Sequence, residues 1–336
     1  MAWENIERVA NRSNPHGNPL AGLASRFLAG SAVRGSALLG FGVFGGVLIP
    51  PLAHAMNWFI TPNVIGLMTL VLLRVDIPAA LAHLRRPGRL AVIVAFQMVA
   101  CPLIAWAAVT PLRLDPGISA GVVIFATGCA ATSGMAFARL VGLDPELTLL
   151  ATLAGLLVVP LSAPPLAAAL IGVDLAISVP GFMARLALVV GLPLALSVVA
   201  RQAIGAARLA PHGPAIDGAV VWLVVLYGFG VMDGLAERIA VDPAWVAQAT
   251  AAAFAADFGL NAATTLALGR MGWRNAAAAG LMSGNRNMAL YLAVLPGAAD
   301  PRLALFFALC QFPLFLSPFL LRPVYRLAGR LAARPG

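Results

Sequence analysis

Residues Leu281–Leu295 read LMSGNRNMALYLAVL, and the reading of this stretch decides the fold. Arg286 stands between Asn285 and Asn287 with apolar sequence for a helical turn or more on either side. A charge at the centre of a membrane span costs about 2.5–3.5 kcal/mol on insertion scales, so such a residue faces a protein interior or a wet cavity. Ser-Gly-Asn-Arg-Asn is also a poor helix former, which predicts a break in mid-span. Irregular backbone at membrane depth is tolerated only where it is buried in protein or lines a cavity. The stretch is therefore expected to be a binding site rather than a surface loop between two short apolar segments.

The rest of the chain fits that setting. Its 336 residues are 61% hydrophobic and 10% charged, with mean hydropathy +0.91. Apolar runs of about 20 residues recur from end to end, as in a polytopic helical membrane protein. The expected organisation is a polar N-terminal tail (1–35), a transmembrane domain (36–326) and a short cytoplasmic tail (327–336). The N-terminal tail lacks the apolar core and small-residue cleavage site of a signal peptide.

The net charge of +9 comes from 22 arginines and no lysine. It points to the bilayer and not to nucleic acid, because the arginines cluster in alternate loops. Ten spans are predicted, at about 37–56, 58–74, 89–109, 117–138, 147–171, 179–200, 215–235, 245–268, 275–296 and 303–322. With the N-terminus inside, seventeen arginines fall in inside segments, and only Arg113, Arg238 and Arg302 fall in outside loops. That asymmetry predicts an inner-membrane protein with both termini cytoplasmic. Cys101, Cys129 and Cys310 are scattered in apolar segments, and His16, His54, His83 and His212 form no paired motif, so no metal site and no disulfide framework is expected.

The ten spans divide into two fives. The fourth contains Thr127–Gly134 (TGCAATSG) and the ninth contains Ser283–Asn287, at corresponding places in the two halves. Five is odd, so the second half runs through the membrane in the opposite sense. Polar-interrupted segments paired in inverted halves are the pattern of a secondary transporter with a midplane site. Thr132, Ser133, Asn285, Arg286 and Asn287 are the expected substrate-binding residues. The plain alternative is that Gly and Ser here only let helices pack closely.

With these residues in view, the chain resembles the bile acid:sodium symporter family, within a wider superfamily of arsenite and auxin-type carriers. The resemblance rests on LRRPGRLAVIVAFQMVACPLIAW (Leu84–Trp106), with its Gln97-to-Pro102 spacing, and on the long stretch Gly128–Pro164 around the first break. SGNRN is similar to the family's E-x-G-x-Q-N segment. The resemblance implies ten helices, a panel and a core domain with two crossing helices, and alternating-access transport of an organic anion with sodium. It also implies that Gln97, Ser133, Thr148 and Thr152 serve the sodium sites. Gly284 and Asn287 match the ninth-span motif. The chain departs from the pattern where Met282 takes the place of the shared acid, Arg286 that of a glutamine, and Gly134 that of an asparagine. The family's sodium sites lose their carboxylate, and Arg286 puts a fixed cation about where one ion would sit.

Arg286 calls for a counter-charge or an anion. The eighth span, ATAAAFAADFGLNAATTLAL, holds one acid, Asp257, with Asn261 a turn further on. Asp257 lies 15 residues before the turn at Gly272 and Arg286 lies 14 after it. At ~1.5 Å per residue both sit roughly 20 Å from the inner surface. An Asp257–Arg286 pair, direct or through Asn261 or water, is therefore expected, either fixing helix packing or working as a site. In the working version Arg286 binds a substrate carboxylate and Asp257 takes up and releases a proton. Asp233 and Arg185 are expected to reach solvated ends of their spans, and Asp144 to cap the fifth. No Ser/His, Asp/Asp or His-rich pair lies at matching depth, so an enzyme is not expected. The favoured reading is a secondary transporter of a small organic anion, proton-coupled through Asp257 or facilitative, with no cofactor. Its alternatives are a non-transporting membrane sensor and an arsenite-type efflux carrier using Cys129.

Overall fold

A computed structural model of the chain describes residues 25, 27–31, 35–75, 87–171, 177–295 and 301–332. Most of the expected N-terminal tail, Arg85 and Arg86 of the arginine-rich turn, and the last four residues lie outside them. The described chain is all-α, and its β-type pairing is one isolated bridge between Ala130 and Arg286.

The helices are α1 (Gly35–Leu48), α2 (Pro50–Asn57), α3 (Ile60–Leu73), α4 (Pro87–Ala95), α5 (Cys101–Val109), α6 (Pro116–Thr127), α7 (Gly134–Val141), α8 (Pro145–Ile171) and α9 (Val179–Ile204). After a short turn at Ala206–Leu209 come α10 (Gly213–Val231), α11 (Leu235–Val241), α12 (Pro243–Ala267), α13 (Trp273–Gly284), α14 (Met288–Val294), α15 (Pro301–Leu309), α16 (Gln311–Leu320) and α17 (Arg322–Ala332). Proline opens many of them, at the first turn where its missing N–H has no helical partner to lose. Aspartate side chains cap three starts. Asp115 accepts from the Gly117 and Ile118 amides, Asp144 from Glu146 and Leu147, and Asp242 from Trp245.

Five helical stretches are long and apolar enough to cross a membrane: Pro87–Leu112, Pro145–Ile171, Val179–Ile204, Ala206–Val241 and Pro301–Leu320. The pair α2 and α3, bent by 74°, makes a sixth if it is one broken span. This is a multi-pass, all-helical membrane protein. The expected fourth and ninth spans are both interrupted, each as a 12-residue helix followed by a shorter one.

The chain divides into two compact units, residues 1–76 with 191–236, and 77–190 with 237–336. In the first, α10 packs on α1, α2 and α3. Glycines allow this: a Cβ on Gly42 would lie 2.7 Å from the Val225 carbonyl oxygen. Arg74 pairs with Asp217 at 3.0 Å, and Asp233 accepts from Asn57 Nδ2 at 2.7 Å and lies 3.2 Å from His54 Nδ1. Asp233 stays partly exposed beside these partners.

The second unit holds both broken helices. Its closest helix pair is α12 with α13, because half of α13 is alanine or glycine and it is buried from Ala276 to Gly284. Gly280 and Gly284, four apart, lie on one face. A Cβ at either would come within 2.7 Å of the α12 backbone, at Asn261 O and Asp257 O respectively. This is small-residue packing of the kind that substitutes for a hydrophobic driving force within a bilayer.

Candidate functional site

The two broken helices end against each other. α6 stops at Thr127 and α13 at Gly284, and the extended segments that follow pair antiparallel. The Ala131 amide donates to the Asn285 carbonyl at 2.8 Å, and the Asn287 amide donates to the Cys129 carbonyl at 2.9 Å. Each break thereby satisfies backbone groups of the other, as non-helical chain at membrane depth requires. Thr127 Oγ1 and Tyr291 Oη, 2.7 Å apart, tie the same two segments. Tyr291 is itself held between the rings of Phe182 and Phe307.

This geometry leaves carbonyls without helical partners, and Arg286 takes them. Nε donates to Ser283 O at 2.8 Å, Nη1 to Gly128 O at 2.5 Å, and Nη2 to Gln97 O at 3.2 Å. Two of these oxygens belong to the C-terminal ends of α6 and α13, which carry the partial negative charge of their helix dipoles. The third has a more local origin. Phe96–Ala100 forms a π turn between α4 and α5, in which the Cys101 amide donates to Phe96 O, five residues back. In that pattern the Gln97 carbonyl would take the amide of residue 102, and residue 102 is proline. Its oxygen is free for the guanidinium. The Gln97-to-Pro102 spacing noticed in the sequence thus has a physical product, a carbonyl released toward the crossover.

Arg286 is 1% exposed. It is a built-in cation seated in a cradle of three carbonyls, and these are the partners it has in place of Asp257. Asp257 and Arg286 form no direct ion pair, and Asn261 does not link them. Asp257 nevertheless lies level with the crossover, packed against Gly284. Its carboxylate accepts from the Ser317 hydroxyl at 3.3 Å, and the Ser317 oxygen also takes a 3.4 Å contact from Asn285 Nδ2. Asn261 is likewise directed elsewhere: its Nδ2 donates to the Tyr325 oxygen of α17 at 2.6 Å.

The other sequence-derived residues distribute around this centre. Gln97 is fully buried, with Nε2 3.5 Å from Ala279 O and Oε1 unpartnered. Thr148 and Thr152 are both buried on one face of α8. The Thr148 hydroxyl donates to Asp144 O at 2.7 Å, whereas Thr152 Oγ1 has no partner. Thr132 and Ser133 are partly exposed at the start of α7, and the Ser133 side chain makes no capping hydrogen bond there. Asn287, 9% exposed, begins α14, also without a side-chain cap. Cys129 is buried in the first break and contributes its carbonyl to the pairing. Arg185, exposed near the start of α9, donates to Val294 O at 3.4 Å, at the end of α14.

Four participants were not singled out from sequence: Thr127, Tyr291, Ser317 and Tyr325. Ser317 carried a signal, as the polar residue in the apolar run LFLSPFL, but no spacing tied it to Asp257. Among the described residues no cluster of His, Cys, Asp and Glu is arranged to hold a metal. Compared with known proteins, the sequence matches no protein-family model and no curated protein.

Proposed function

We propose that this protein is a secondary transporter of a small organic anion, working by alternating access, and an atypical relative of the bile acid:sodium symporters. In this reading ten spans form two inverted repeats of five, both termini are cytoplasmic, and the membrane is a bacterial-type inner membrane. The division of the arginines, seventeen against three, supports that topology. The partition into two compact units, one of them holding both crossing segments, fits a panel and a core.

The observation that carries the proposal is the carbonyl cradle of Arg286. Facing C-terminal ends of broken helices are where carriers of this architecture hold a coupling cation. Here a guanidinium fills such a place with its own side chain. A tethered cation cannot leave, so it cannot be the coupling ion. It neutralises the carbonyls permanently and contributes a fixed positive charge beneath the crossover. Substrate then binds beside the crossover at Thr132, Ser133 and Asn287. Their hydroxyl and amide groups supply hydrogen bonds, and Arg286 acts through its charge from behind them in this conformation. Sodium is dispensable at the crossover.

Flux is the test. Purified protein in sealed proteoliposomes is offered radiolabelled small mono- and dicarboxylates, with counterflow as the readout. Saturable exchange of at least one anion, weakened in a T132V/S133A variant, is the expected outcome. Binding of an anion without any exchange would favour a sensor and reject the carrier.

A further inference from the structure

Beside the cradle lies a second polar cluster that Arg286 does not serve. Asp257 on α12 and Asn285 in the crossover meet at a single hydroxyl, Ser317 Oγ on α16, at 3.3 and 3.4 Å. All three residues are at most 2% exposed. One oxygen of each of the two larger side chains, Asp257 Oδ1 and Asn285 Oδ1, is buried and without a hydrogen-bond partner. The remaining contacts of Asn285 are made by its Nδ2, which also donates to Leu281 O at 3.1 Å.

Among the described residues no cation pairs with Asp257. Arg286 follows Asn285 directly, but its described contacts are to Ser283, Gly128 and Gln97. Of the elements packed on α12, α13 carries Arg274 in its first turn, and the preceding short turn carries Arg270, both far along the helix from Asp257. On α15, Arg302 pairs with Asp115 at 2.9 Å. α5, α6 and α16 contribute no charged side chain. Among the described residues, the titratable groups that face Asp257 are the Cys310 thiol and the Tyr325 phenol.

An ionised carboxylate removed from water with one hydroxyl donor is costly, and such groups persist only when paired, metal-bound or neutralised. A proton on the Asp257 carboxyl removes the buried charge and turns one of its oxygens into a donor. We infer that Asp257 is an exchangeable proton site whose partners are Asn285 and Ser317. A proton on Oδ1 converts an unpartnered acceptor into a donor, and the side-chain Oδ1 of Asn285 is the other unpartnered acceptor of the cluster. When the proton leaves, the Ser317 hydroxyl remains to donate to the carboxylate. The Ser317 hydroxyl thus links Asp257 to Asn285, a residue of the crossover itself. The site sits where movement of the crossover exposes or seals it, so proton exchange is tied to the conformational cycle. That coupling rests on the transporter reading, whereas the existence of the site does not.

The experiment is infrared difference spectroscopy of the full-length protein in lipid, between acid and alkaline buffers, with aspartate carrying ¹³C. A protonated-carboxyl band that shifts with the label, vanishes in D257N and changes frequency in S317A supports the site. The S317A variant keeps the acid, so it remains informative if D257N folds poorly. Absence of a titrating aspartic band in the wild type overturns the inference. A band suppressed by sodium but not by choline also overturns it, since the occupant is then a metal cation. The measurement involves no flux. Failure of the carrier reading with a positive band, or the reverse, separates the two conclusions.

Discussion

Removing Arg286 should convert a sodium-indifferent protein into one that needs a cation to stay folded. In Arg286→Ala, three buried carbonyls, Ser283 O, Gly128 O and Gln97 O, lose donors now at 2.8, 2.5 and 3.2 Å. A buried polar group left unsatisfied costs about 1–3 kcal/mol, so three together cost roughly 3–9 kcal/mol. That is a large share of the roughly 5–15 kcal/mol by which folded proteins are stable. The deletion also opens a cavity lined by those oxygens, and hard oxygens at facing helix C-termini are ligands for a small cation. Thermal denaturation of the detergent-solubilised variant should therefore show a large loss of stability in choline and partial recovery in sodium. The wild type should be insensitive to the exchange. Arg286→Lys, one compact ammonium where a planar fork reached three directions, should fall between them. An R286A protein as stable as wild type in choline would refute the cradle as a cation site.

Three further outcomes follow from the same packing. Gly284→Ala places a methyl 2.7 Å from Asp257 O, and because the obstacle is backbone the α12–α13 pair must separate, at a cost of about 1–3 kcal/mol read as a fall in melting temperature. Thr127→Val leaves the buried Tyr291 phenol without its partner, at about 1–3 kcal/mol, and a double-mutant cycle with Y291F should recover most of that loss. Asp144→Ala removes two amide contacts at the start of α8 and should lower stability by about 1 kcal/mol, with anion exchange in proteoliposomes kept.

The class of fold was legible because apolar runs and alternating arginines are one-dimensional signals. The two breaks were legible because Gly, Ser and Asn in mid-span oppose helix formation in any context. What joins them was not. Arg286 binds backbone carbonyls, and a carbonyl has no residue identity from which to predict it. Counting along α12 and α13 put Asp257 level with the crossover, yet level says nothing of which way a side chain turns around its helix. Asp257 turns to Ser317 of α16, a neighbour about sixty residues away with no periodic mark. The free carbonyl of Gln97 was readable in principle, since a proline five residues on removes the amide that a π turn would use. It needed the π turn to be known first.

The central claim is that the guanidinium of Arg286 has taken over the place of a coupling sodium in an anion carrier. Its most direct test is anion uptake by wild-type proteoliposomes with sodium excluded from both sides, compared with uptake under an imposed inward sodium gradient. Uptake that proceeds without sodium, and gains nothing from the gradient, is the result predicted. Uptake that is absent until sodium is supplied would contradict it.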